Sequence, residues 1–192
     1  MKRSSNTLLL LGAGLLIGLG AGCLLLALTG AGGALFFGLQ SSLSGEDSIL
    51  FPEVDSPAPP FELQSLAGET YRLEDLHGQP VVVNFWATWC APCRLEMPLL
   101  DSYQAQYGDQ LTILAVNFDE PQDLVQRFVD ELGLTLPVLL DPGGKVVNQY
   151  RVRGYPTTVF IDAEGVIRYQ HMGQLEERQL ARYLEEMGVS LE

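Results

Sequence analysis

Val81-Val82-Val83-Asn84-Phe85-Trp86-Ala87-Thr88-Trp89-Cys90-Ala91-Pro92-Cys93 is the stretch that decides the fold. Its first five residues are β-branched or aromatic with a single polar member, the pattern of a short strand buried on both faces. The cysteine pair follows at once. From residue 94 to 107 the apolar residues Leu95, Leu99, Leu100 and Tyr103 recur at helical spacing, with Pro98 expected to kink the helix. A CxxC held between a buried strand and a helix reads as a redox motif. At a helix N-terminus, free backbone N–H groups and the helix dipole favour an anion, so Cys90 is expected to ionise below the roughly 8.5 of a free thiol. Cys93, one turn later, can attack a mixed disulfide formed by Cys90 and release the reduced partner. Pro92 fits the first turn, where its missing N–H costs nothing.

Working outward, residues 111–116 read as the next buried strand, followed by a helix from 122 to about 132 that stops at Gly133. Strand, helix and strand make a βαβ unit. Residues 138–140 and a short turn or helix at 146–150 lead to Thr157-Thr158-Val159-Phe160-Ile161, a β-prone run. The turn Asp162-Ala163-Glu164-Gly165 should pair 166–170 antiparallel with it. A last helix is expected over 175–187, with Leu180, Tyr183, Leu184 and Met187 on one face. Before the decisive stretch, residues 61–63 and 71–73 around Ala67-Gly68 suggest a small hairpin added to the main sheet.

The chain has 192 residues, 47% of them hydrophobic, enough for one well-buried domain and an appendage. The appendage is at the front. Residues 7–39 carry no charge, a run long enough to cross the ~30 Å hydrocarbon layer of a bilayer as a helix. Lys2 and Arg3 precede it and Glu46 and Asp47 follow, so the basic end should stay in the cytoplasm and the rest be exported. An uncleaved signal-anchor is the preferred reading; a cleaved signal peptide and lipid attachment at Cys23 stay open. Gly14, Gly18 and Gly22 share one helix face, the small-residue spacing that would let two such helices pair as a dimer. Residues 40–60, rich in Ser and ending in Pro57-Ala58-Pro59-Pro60, read as a tether stiffened at its end. The expected domains are therefore a transmembrane segment at 1–39, a tether at 40–53 and a folded domain at 54–192. The formal net charge of −13 lacks the basic footprint of a nucleic-acid binder.

Three stretches resemble the thioredoxin superfamily, and within it the TlpA-like and ResA-like group of membrane-tethered disulfide reductases. They are Ser56-Pro57-Ala58-Pro59-Pro60-Phe61, Asn84-Phe85-Trp86-Ala87-Thr88-Trp89-Cys90, and Gly154-Tyr155-Pro156-Thr157-Thr158 before a strand ending in Ile161-Asp162. The resemblance covers nearly all of 54–187. It implies an α/β thioredoxin fold: a central mixed sheet flanked by helices, with the N-terminal β-hairpin added and one transmembrane helix in front. It also implies that Pro156 is a cis-proline facing the disulfide and that the backbone of Tyr155 binds substrate. Trp86, Trp89 and Tyr155 are expected to form an apolar rim around Cys90, with a place in the core as the alternative for Trp86. Thioredoxin's buried aspartate is replaced by Asn84, which takes no proton, so Glu96, matching a glutamate of ResA-like proteins, is the candidate shuttle. Thr157 stands where the cytochrome c maturation branch commonly carries glutamate, which weakens that assignment.

The expected activity is dithiol-disulfide exchange on exported protein disulfides, recharged by a membrane thiol electron donor at the bacterial cytoplasmic membrane. No bound cofactor is required. Zinc is disfavoured, because His77 and His171 make no ligand motif with the cysteines. Asp119 and Glu120 are read as a solvated loop. The alternatives are a disulfide-donating oxidase of the same fold, a peroxiredoxin-type peroxidase, and a non-enzymatic tethered chaperone.

Overall fold

The computed structural model describes residues 52–191. The expected membrane segment with Cys23 and its glycine face, and the tether as far as residue 51, lie outside the described residues. Among these, no helix is long and apolar enough to cross a membrane.

The elements are β1 (Glu62–Ser65), β2 (Thr70–Arg72), a 3-10 turn (Leu73–Leu76), β3 (Val81–Trp86), α1 (Ala91–Tyr107), β4 (Thr112–Phe118), α2 (Gln122–Leu132), β5 (Val138–Asp141), α3 (Lys145–Gln149), β6 (Thr157–Ile161), β7 (Ile167–Met172) and α4 (Glu177–Glu186). One sheet holds every strand in the order β2-β1-β5-β4-β3-β6-β7. β3, β4 and β5 run parallel; β1, β6 and β7 join their neighbours antiparallel. The sheet is therefore mixed and extended by the β1–β2 hairpin at its β5 side, as the sequence suggested.

All six residues of β3 are buried. Their alternation divides the core. Val82 and Trp86 join Met97 and Leu100 of α1, Phe128 of α2, Phe160 of β6 and Leu180 and Leu184 of α4. Val81, Val83 and Phe85 pack on the other face with Leu114, Val116, Ile161 and the α3 residues Val146 and Val147. A strand with period-2 side chains between two apolar layers leaves its polar member, Asn84, on the α1 side.

Helix α1 continues through Pro98, whose ring lies on the exposed side. Its buried face is Cys93, Glu96, Met97, Leu100 and Tyr107, whereas Leu95, expected to help form that face, is 67% exposed. Helix α2 ends at Gly133 in the left-handed conformation, its N–H returned to the last turn, as a glycine there predicts. Helix α4 begins later than expected because Glu176 and Gln179 form a reciprocal capping box, leaving Leu175 buried just outside it.

Residues 52–60 are held on the domain. Asp55 N–H donates to Ile167 O, Ile167 N–H to Ser56 O, and Ala58 N–H to Gly165 O, at 2.7 to 2.9 Å. Pro57 bridges antiparallel to Val166. The proline-rich end that reads as a stiff tether is thus part of the fold, because its backbone meets the open edge of β7.

Phe160 is fully buried, with its ring 4.7 Å from that of Tyr183. Phe160→Ala should cost about 3–5 kcal/mol of stability by leaving a cavity, while Leu95→Ala should change it by less than about 0.5 kcal/mol. Urea denaturation midpoints measure both.

Candidate active site

The loops that matter leave the sheet at one end. β3 and β4 are parallel with Trp86 beside Asn117, and β6 is antiparallel to β3 with Thr157 beside Phe85. Residues 87–90, 119–121 and 154–156 therefore meet at the carboxyl ends of the parallel strands, where open α/β sheets place their sites.

Cys90 is the N-cap of α1 and is disulfide-bonded to Cys93, with Cα atoms 5.3 Å apart. Its Sγ accepts the Cys93 N–H at 3.2 Å. Cys90 keeps 4% exposure and Cys93 none, so an external sulfur reaches Cys90 first. Once reduced, a sulfur at the N-cap faces free N–H groups of the first turn, which favour the thiolate.

One turn beyond Cys93, on the buried face of α1, lies Glu96, itself fully buried. Its Oε1 accepts from Asn84 Nδ2 at 2.8 Å and its Oε2 from the Leu175 N–H at 2.8 Å. Asn84 Nδ2 also donates to Thr158 Oγ1 at 2.9 Å, while Asn84 Oδ1 has no partner among the described residues. Burial pushes the Glu96 carboxyl from 4.5 up to about 7, against the opposing pull of the Leu175 and Asn84 hydrogen bonds. A carboxyl balanced near neutrality can accept or release a proton one turn from Cys93.

The Tyr155–Pro156 bond is cis, as the resemblance implied. Trp89 is 66% exposed, and its ring meets Tyr155 edge-on at 5.6 Å. Tyr155 stacks in turn on Phe118, also at 5.6 Å. Its phenol is pushed up to about 12 by burial and then by the charge of Asp141, so it stays neutral. Trp86 is not part of this rim. Alternation along β3 turns it into the core, fully buried, with its ring 4.7 Å from Phe128.

Glu120 is the residue that sequence reasoning missed. Instead of a solvated loop, its carboxylate accepts three hydrogen bonds: Thr88 N–H at 2.7 Å, Thr88 Oγ1 at 2.6 Å and Asn117 Nδ2 at 2.7 Å. Asp119, in the left-handed region at φ 46°, accepts the Gly143 N–H at 2.6 Å. The available signal was topological: in a βαβ unit the residues after the second strand lie beside those after the first.

A CxxC disulfide capping a helix beside a buried strand, with a cis-proline loop at the same end of the sheet, defines a thiol-disulfide oxidoreductase of thioredoxin-like α/β fold. Residues 54–170 match the AhpC/TSA family model, and the chain belongs to that family. It is 41% identical over 131 residues to the thioredoxin-like protein YneN of Bacillus subtilis, covering 67% of this chain and 76% of that one. It is 36% identical over 160 residues to the thiol-disulfide oxidoreductase ResA of Oceanobacillus iheyensis, covering 81% and 82%. A putative thiol:disulfide interchange protein DsbE from Chlorobium tepidum superposes with a TM-score of 0.66 at 30% identity, over 70% of this chain and 97% of that one.

Glu96 gives the stability a pH dependence of definite sign. Its folded pKa of about 7 lies above the ordinary 4.5, so between these values the folded state holds more protons than the unfolded. Its contribution is full below about pH 4.5 and is lost as pH rises through 7, on the order of 3 kcal/mol in all. Glu96→Gln should flatten that slope in urea titrations at pH 5 and pH 8; an unchanged slope would exclude Glu96 as its source.

Proposed function

We propose that this chain is anchored in the bacterial cytoplasmic membrane by residues 7–39 and reduces disulfides of exported proteins on the extracytoplasmic side. The observation that carries the chemistry is the asymmetry of the pair, with Cys90 at the helix N-cap keeping the only exposure of the two sulfur-bearing residues, 4%, and Cys93 sealed beneath it. The Cys90 thiolate attacks a client disulfide. A Cys90–client bond forms, the client S–S bond breaks, and one client sulfur leaves as a thiolate that takes up a proton. Cys93 then loses its proton, with Glu96 as the nearby acceptor, and attacks Cys90. The Cys90–Cys93 disulfide forms, the second client sulfur is released, and two electrons have passed to the client.

Trp89 and Tyr155 supply the apolar surface against which the client lies, and the Tyr155–Pro156 backbone orients it. A membrane dithiol donor must return two electrons for the next cycle. The uncharged N-terminal run with its basic flank supports the anchoring and orientation. Apoproteins of c-type cytochromes fall within the client class. Thr157 carries no charge there; its Oγ1 donates to Gly154 O at 2.8 Å.

The deciding experiment equilibrates the full chain against glutathione and dithiothreitol buffers to obtain the potential of the Cys90–Cys93 couple. A value at or below about −250 mV is expected of a reductase, whereas one near −120 mV would make it an oxidant that donates disulfides. Cys93→Ser should accumulate a Cys90–client mixed disulfide visible on a non-reducing gel, and Cys90→Ser should abolish exchange. Hydrogen peroxide should not be consumed; consumption lost in Cys90→Ser would move the reading to a peroxidase.

A further inference from the structure

The geometry points to Glu120 as a positioning residue that sets how Trp89, and with it the approach to Cys90, is presented to a protein client. This deepens the exchange reading at Cys90 and is independent of its direction.

Each hydrogen bond Glu120 accepts comes from the lead-in to the nucleophile or from the strand that precedes Glu120 in the chain. Two come from Thr88, through backbone and hydroxyl, and the third, from Asn117, fixes the carboxylate to the end of β4. Thr88 is thereby tied by its main chain, at 2.7 Å, to the loop that follows β4. Thr88 is followed by Trp89, whose indole is largely exposed and has Tyr155 as its ring partner.

Tyr155 is itself held by the same segment that carries Glu120. Phe118, two residues earlier, stacks on it. The Phe118 ring is seated closely on backbone: a Cβ at Gly144 would come within 2.4 Å of it, and Gly144 has φ +63°. Residues 118–120 thus grip Trp89 twice, through the peptide before it and through the ring beside it. An exposed indole held by backbone and one ring edge keeps a single orientation only while both supports stand. Ordering it before the client arrives lowers the cost of association, so loss of the grip should appear in KM for a polypeptide.

The test uses the full chain turning over with dithiothreitol as reductant. Insulin serves as the protein disulfide, and oxidised glutathione as a disulfide too small to depend on the indole wall. Glu120→Ala should raise KM for insulin about tenfold, equal to about 1.4 kcal/mol, with kcat moving less than about twofold. The fall in kcat/KM for oxidised glutathione should be several times smaller. Glu120→Gln should recover most of the affinity, since its amide oxygen can still accept the Thr88 N–H and its NH2 can donate to Thr88 Oγ1. An unchanged insulin KM in Glu120→Ala, or equal losses on both disulfides, would overturn the proposal. Should Glu120→Ala fail to fold, Thr88→Val and Phe118→Leu each release one support. A several-fold rise in insulin KM is then expected of each, and an unchanged KM in both refutes the role. A wild-type chain that exchanges with neither disulfide would instead overturn the oxidoreductase reading, and this inference with it.

Discussion

Burial of β3 on both faces is the constraint on which the rest of this structure depends. A strand with no solvent-facing side must have a helix layer over each surface and a paired strand along each edge. Its successor, α1, then starts at a fixed place, and the residue at that start is Cys90. The sulfur acquires its setting from this geometry: partial charges of free amide N–H groups in front, the apolar layer of Met97, Leu100 and Phe128 behind. Cys90 keeps a narrow opening to solvent because the strand ends there, and its partner is sealed because a helix turn carries it inward.

The same burial makes the polar residue of β3 expensive unless it is bonded. Asn84 is satisfied on its donor side by Glu96 and Thr158, and Glu96 is tied by its second oxygen to the chain before α4. Three elements are thereby joined through one buried carboxyl whose pKa burial holds near neutrality. Wet surroundings would lower the pKa; a dry core without these hydrogen bonds would raise it further.

Much of this was legible in the sequence, for identifiable reasons. The β-branched run of β3, the threonine-rich β6 and the glycine stop of α2 carry strong local signals, and their strand and helix assignments stand. The cysteine pair and Glu96 were found because residue type, spacing and resemblance agreed. What was misread or left open depends on direction. Trp86 and Trp89 are three apart and equally aromatic, and only the alternation of β3 sends one into the core and the other to solvent. Glu120 is distant in sequence from Thr88, and nothing local distinguishes it from an acid on a wet loop. Leu95 was assigned to the packed face of α1 because hydrophobicity was read ahead of position; Glu96 and Met97 occupy that face. Residues 55–58 looked like spacer because prolines hide the fact that the carbonyls and N–H groups between them can still pair with an edge.

That last pairing bears on the company such a domain keeps. An open outer strand is a ready template for any extended chain that meets it. By laying 55–58 along Gly165, Val166 and Ile167, the chain occupies the start of that edge with its own backbone. Backbone pairing at those residues is closed to a second chain, so the edge is sealed where β7 begins.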